Sequence, residues 1–223
     1  MIKIGGITVG QSPRVDITPD ILPIFGENVE LIELGGLDGL THEDIEAFAP
    51  EEGDYVLVSK MRDGSSVRFA EKYVLPRIQK HIEALEKQGV SLIAMFCTGN
   101  FPDVFHSEVP LIFPSKILEA FVPAVADNSK LIVVTPDEKQ LNQSIKKWSA
   151  YIEVEKVFYA SPYTGDGRLE MVAEEIKQLE GKFVVLDCMG YTKEMKDMFA
   201  RVTGKKIILP RTLLARNIME LID

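Results

Sequence analysis

The chain contains two cysteines, and both occupy the same local setting. "LIAMFCTGN" carries Cys97 at the end of an apolar run, and "VVLDCMGY" carries Cys188 at the end of another. A glycine follows two residues later in each case, Gly99 and Gly190, and the two sulfurs are 91 positions apart. A thiolate is a competent base and a thiol a competent acid once the surroundings favour ionisation. Two such groups on opposite faces of one carbon can invert a stereocentre, one removing a proton while the other delivers one. Because the two groups can exchange roles, such a reaction runs in either direction. The competing reading of any single buried cysteine is a small hydrophobe. Its repetition in a matched C-x-G setting is what points to chemistry.

Other residues cluster around comparable strand ends. Thr98, Gly99 and Asn100 follow the first cysteine; Gly190, Tyr191 and Thr192 follow the second. The glycines let backbone N–H groups approach a carboxylate, and Thr192 is placed to cap a helix. In "GQSPRVD", Ser12 offers a hydroxyl and Arg14 a planar guanidinium suited to a bidentate carboxylate contact. In "SKMRDGSSVRF", Arg62 and Gly64 lie in a turn whose N–H groups suit an anion; helix capping is the plainer role. Asp187 adjoins Cys188 and, by strand alternation, belongs on the opposite face. "SPYTGDGRL" reads as a connecting loop, with a lid as the alternative.

These residues need a scaffold that brings strand ends to one edge. Strand-like runs are read at Ile2–Val9, Val29–Leu34, Tyr55–Ser59, Ser91–Phe96, Leu131–Thr135, Val154–Tyr159, Phe183–Leu186 and Lys206–Leu209. Several are apolar throughout, as parallel strands covered on both faces are. Helical patterns lie between them at Val67–Gly89, Asp137–Ala150, Arg168–Glu180, Thr192–Val202 and Arg211–Ile222, with Pro76 delaying or kinking the first. The alternation predicts an α/β protein. The series also repeats: "LIFPSKILEAF" and "IILPRTLLARN" follow the two cysteine segments, with Pro114 and Pro210 opening a helix in each. Two similar lobes are expected, each a four-stranded, mostly parallel sheet flanked by helices, with a cleft between them. Their bounds are read as 1–113 plus 210–223, and 114–209.

The totals exclude several functions. With 223 residues, a net charge of −9 and a pI near 5, the chain has ample core and no basic footprint for nucleic acid. No apolar run is long enough to span a membrane, and the opening "MIKIGGITVG" shows no secretory pattern, so a cytoplasmic protein with reduced thiols is expected. His42, His81 and His106 show no metal spacing, "GGITVGQS" lacks the ending of a P-loop, and "GGLDGL" is too short for a dinucleotide fingerprint. Neither metal nor cofactor is expected.

"IGGITVGQSPRVDITPDI", "LVSKMRDGSSVRF", "CTGNF" and "LDCMGYT" resemble the AroM protein family over nearly the whole chain. The paired strand-end cysteines resemble the wider aspartate/glutamate racemase superfamily. That resemblance implies the two-lobed fold, a small carboxylic acid as ligand and a homodimer. It also implies a cofactor-independent isomerase with Cys97 and Cys188 as acid and base. The sequence departs from the amino-acid racemases where they carry Asn-Thr after the first cysteine and Asp-Ser after the first strand. Two alternatives therefore stand beside the isomerase: a decarboxylase using one cysteine, and a non-enzymatic carboxylate-binding or regulatory protein.

Overall fold

The computed structural model describes residues 1–126 and 128–222. It divides into two compact units, Met1–Ser115 with the segment from Ala215 onward, and Lys116–Leu214. Each is built on one four-stranded parallel sheet.

The first sheet holds β1 (Ile2–Thr8), β2 (Val29–Gly35), β5 (Leu92–Met95) and β6 (Leu111–Ile112), in the order β2-β1-β5-β6. The second holds β7 (Leu131–Thr135), β8 (Val154–Tyr159), β9 (Phe183–Leu186) and β10 (Lys206–Ile208), in the order β8-β7-β9-β10. Within each sheet the second strand in sequence lies outside the first, and the third and fourth lie on its other side. The repeat read from the cysteine segments is thus a repeat of topology.

A hairpin of β3 (Val56–Lys60) and β4 (Ser66–Ala70) is added to the first unit alone. This corrects two expectations. The run at Tyr55–Ser59 is not a member of the parallel series; it pairs antiparallel with β4, and the two-residue β6 takes the fourth place in the sheet. The helix expected from Val67 begins only at Leu75. "SVRFA" alternates exposed Ser66 and Arg68 with more buried Val67 and Phe69, a period of two that suits a half-covered strand. Pro76 then sits in the first turn, where its missing N–H costs nothing.

The helices are α1 (Thr18–Phe25), α2 (His42–Glu46), α3 (Leu75–Glu86), α4 (Pro114–Val125), α5 (Leu141–Trp148), α6 (Arg168–Lys177), α7 (Lys193–Thr203) and α8 (Pro210–Ile222). In α3 the buried residues Ile78, Ile82 and Leu85 fall at four- and three-residue spacing, one stripe against the sheet. Each such side chain contributes roughly 1.5–3 kcal/mol by leaving water. Gly89, at φ +75°, takes the left-handed conformation just beyond the helix end.

The second sheet is covered on both faces, and its strands sort their side chains accordingly. Ile132, Val134, Val184, Leu186 and Cys188 belong to one core with Phe199 and Ile207. Leu131, Val133 and Val185 belong to the other, with Trp148, Leu118 and Val122. This alternation fixes what each residue at the strand's carboxyl end can touch.

Candidate functional site

At the end of β5, the Phe96 N–H donates to the Ile7 carbonyl at 2.7 Å, so Cys97 emerges beside the end of β1. Cys97 is half-buried. The chain then turns sharply enough for the Gly99 N–H to donate to Cys97 Sγ at 3.4 Å. Asn100 N–H donates to the Tyr55 hydroxyl at 3.1 Å, which fastens this turn to the residue just before β3. Asn100 Oδ1 is buried without a hydrogen-bond partner, and Thr98, two residues before it, is buried.

At the end of β9 the same device recurs. The Gly190 N–H donates to Cys188 Sγ at 3.3 Å. The Tyr163 hydroxyl lies 3.7 Å from the same sulfur, contributed by the loop between β8 and α6. A Cβ on Gly190 would stand 2.2 Å from that hydroxyl oxygen, so glycine is needed here for close approach of the phenol. Cys188 is 8% exposed, considerably more covered than Cys97, yet its sulfur has polar neighbours on two sides. Neither cysteine is in a disulfide.

The residues around Cys188 are individually braced. Thr192 caps α7, its hydroxyl accepting from the Met195 N–H at 3.2 Å. Tyr191 is fully buried and donates to the Ala160 carbonyl at 2.7 Å; burial pushes its phenol well above the ordinary range. Asp187 points to the opposite face, as the alternation requires. Its carboxylate accepts from Lys147 Nζ at 3.0 and 3.2 Å and from Trp148 Nε1 at 2.8 Å. The side chains of both members of that ion pair are 6% exposed, and a pair so deeply placed is sound only when its hydrogen bonds are met. Arg211, in the first turn of α8 and 1% exposed, donates through Nε at 2.9 Å and Nη2 at 2.5 Å to the Met189 carbonyl.

The remaining sequence-predicted residues form a second cluster in the first unit. Arg14 is 3% exposed and held bidentately by Asp16, with two contacts of 2.8 Å. Its third nitrogen reaches Thr8 Oγ1 at 3.0 Å and Ser59 Oγ at 3.3 Å. The fork geometry expected for a ligand carboxylate is therefore made with the chain's own. Burial pushes the Asp16 carboxyl up, but the hydrogen bonds and charge of Arg14 outweigh it and hold it below the usual range. Ser12 donates to Asp38 at 2.6 Å, Arg62 pairs with the same carboxylate at 2.9 Å, and Arg62 Nε also bonds the Ser12 carbonyl. Gly64 occupies the hairpin turn at φ +89°. Arg14, Arg62 and Gly64, with Gln11, Asp16 and Lys60, line a pocket of about 350 Å³. That pocket is built from the β1–α1 loop and the hairpin, whereas Cys97 lies just beyond β5.

Sequence reasoning passed over Tyr55, Tyr163, Lys147 and Arg211. Tyr163 is within reach of the sequence, since it lies in "SPYTGDGRL", a loop with a lid as its alternative role. Arg211 left a fainter signal: a charge inside the apolar run "IILPRTLLA" is either exposed or bound. Among the described residues, no three His, Cys, Asp or Glu converge as metal ligands, and no helix is long and apolar enough to cross a membrane.

Solved structures share this architecture at low sequence identity. Allantoin racemase from Klebsiella pneumoniae superposes with a TM-score of 0.66 at 15% identity, covering 100% of this chain and 88% of its own. The maleate isomerase Iso from Pseudomonas putida S16 gives 0.65 at 12%, covering 100% and 93%. An arylmalonate decarboxylase gives 0.62 at 12%, covering 98% and 92%. At such identities the likeness speaks for the fold. No curated protein matches the chain in sequence. The family model described as AroM protein matches residues 4–222, and the chain, with its two sheets of repeated topology and the fold of the aspartate/glutamate racemase-like proteins, belongs to the AroM family.

Proposed function

We propose that the protein is an isomerase that moves a proton at the carbon beside the carboxylate of a small acid, with Cys97 and Cys188 as the paired acid and base. The observation that carries this reading is the shared sulfur geometry. Each cysteine accepts an N–H from the glycine two residues on, at 3.4 and 3.3 Å. A donated hydrogen bond favours the charged form of the group that accepts it. Two thiols matched in this way are suited to exchange the roles of base and acid. One thiolate takes the α-proton: the C–H bond breaks, an S–H bond forms, and the electron pair moves into the carboxylate as an enolate. The other thiol then donates its proton to the opposite face of that carbon.

Ligand contacts are proposed at Thr98, Gly99 and Asn100 after Cys97 and at Gly190, Tyr191 and Thr192 after Cys188. The buried, unpartnered Asn100 Oδ1 supports a polar ligand group near Cys97. Ser12, Arg14, Arg62 and Gly64 would shape the polar edge rather than clamp the acid alone, because Arg14 already holds Asp16.

A second reading has its own support. Cys188 is 8% exposed while Cys97 is half-buried, and an inequality of that kind suits a decarboxylase needing one cysteine as proton donor. An arylmalonate decarboxylase shares the fold.

Incubation with a panel of chiral amino, hydroxy and aryl carboxylic acids in D₂O separates these readings. For the isomerase, deuterium enters the α position, and Cys97→Ser and Cys188→Ser each lower the rate by about 10²–10⁴-fold, the usual worth of a general acid or base. Carbon dioxide release that survives one of the two substitutions identifies the decarboxylase. Silence across the panel, with ligand binding retained, rejects both and leaves a binding protein.

A further inference from the structure

Arg211 is an anomalous residue. It is 1% exposed, yet it sits in the first turn of α8, where the helix dipole disfavours a cation. Two of its nitrogens grip one atom, the Met189 carbonyl oxygen, from Nε at 2.9 Å and Nη2 at 2.5 Å. That carbonyl and the Gly190 N–H belong to one planar peptide unit, in which a trans C=O and N–H point in opposite directions. The carbonyl end is gripped by the guanidinium; the N–H end donates to Cys188 Sγ at 3.3 Å. Fixing one end of a rigid plane fixes the other. A cation on the carbonyl oxygen also polarises the peptide and makes its N–H a stronger donor, because hydrogen bonds in series reinforce one another.

We propose that Arg211 is a positioning residue for Cys188, clamping and polarising the Met189–Gly190 peptide so that its N–H stabilises the thiolate. The use of that thiolate in proton transfer rests on the isomerase reading; the clamp itself does not. Other ionisable groups act on the same sulfur or on Arg211. Tyr163 lies on the loop after β8, Tyr191 precedes α7, and Asp187 directly follows β9 with its charge met by Lys147. Glu194, in the first turn of α7, feels the charge of Arg211. Arg211 grips the Met189 carbonyl through two nitrogens, so it is the residue to change.

The test is a pH titration of Cys188 followed by nuclear magnetic resonance. In a Cys97→Ser background, Cys188 is the sole cysteine, and ¹³Cβ-labelled cysteine gives one resonance whose shift reports ionisation. Arg211→Met is expected to raise the titration midpoint by about one unit, a tenfold loss in acidity. Arg211→Lys, which keeps the charge but loses the fork, is expected to raise it by about half as much. A residue with a merely structural role would lower stability and leave the midpoint in place, so a midpoint within about 0.2 units of the parent overturns the proposal. Should Arg211→Met fail to fold, the parent decides. The Gly190 amide proton and the Arg211 Nε–H must both shift with the Cys188 midpoint, and an unmoved signal from either overturns the clamp. A shifted midpoint in a protein that exchanges no α-proton upholds the clamp and rejects the isomerase.

Discussion

Cys97 and Cys188 each receive an N–H from the glycine two residues on, but the chain supports the two turns by different means. Behind Cys188 stand a buried ion pair, a buried arginine, a capped helix and a phenol within 3.7 Å of the sulfur. Behind Cys97 stand the Tyr55 hydroxyl on the Asn100 N–H and a long loop to β6, with no helix where the second unit has α7. The buried carboxyl groups of the two units differ in the same sense. Asp187 and Glu71 are both 8% exposed. Asp187 is met by Lys147 and Trp148, whereas Glu71 Oε1 has no hydrogen-bond partner, and burial raises the Glu71 pKa to about 7. A repeated topology thus carries a heavily braced turn at Cys188, while in the first unit Asn100 Oδ1 and Glu71 Oε1 are buried without a hydrogen-bond partner. Where groups are left open, a ligand has something to complete.

The strongest way to break this comparison is to remove the ion pair. Lys147→Met strands the Asp187 carboxylate in the core and should cost about 3–5 kcal/mol. Arg14→Met, in the other unit, should cost less, roughly 2 kcal/mol, because Asp16 is 16% exposed and can turn to water. Denaturant unfolding of the two variants measures both; equal losses would mean that the second edge is no more dependent on its pair than the first.

The next effect concerns Glu71, and its sign is set by linkage. The folded pKa of about 7 lies above the ordinary 4.5, so the folded state binds more protons than the unfolded one between those values. The wild type should therefore lose stability as pH rises from about 4.5 to 7. Glu71→Gln removes this slope: the variant should match the wild type near pH 4 and exceed it by about 1–3 kcal/mol at pH 8. Urea titrations at the two pH values test it, and parallel curves would show that Glu71 finds a partner in solution.

Gly190→Ala should cost about 1–3 kcal/mol, because the new methyl group meets the Tyr163 phenol at 2.2–2.7 Å and must expel the ring. Gly99→Ala meets the end of the Leu57 side chain at 3.0 Å, the Cys97 sulfur at 3.4 Å and the Tyr55 ring at 3.6 Å, so it should cost less than about 1 kcal/mol. Thermal unfolding of the pair sharpens the contrast between a tight and a loose turn. Tyr55→Phe removes the hydroxyl that accepts from the Asn100 N–H and should cost about 0.5–1.5 kcal/mol, an effect of the same order as Gly99→Ala, read from the same melts.

Much of this was legible in the residues. The apolar runs announce parallel strands because a strand covered on both faces has no polar side to show. The C-x-G repeat announces two equivalent strand ends, and the alternation of Asp187 with Cys188 announces which face each takes. The hairpin was hidden because "SVRF" carries both a helical spacing into α3 and a strand alternation, and pairing with β3 decides between them. Arg14 was visible as a carboxylate binder, but not that its carboxylate would come from Asp16 two residues away.

What the sequence determined by itself is therefore local and periodic: which runs are strands, which glycines allow a turn, and that two thiols stand at two strand ends. Only the tertiary structure decided which distant groups stand behind those thiols. Tyr163, Lys147 and Arg211 lie 25, 41 and 23 positions from Cys188, and their contacts are set by how helices and loops return to the sheet edge. Chain connectivity carries no record of such contacts. Burial creates them, since a buried charge or donor must find a partner wherever the fold supplies one.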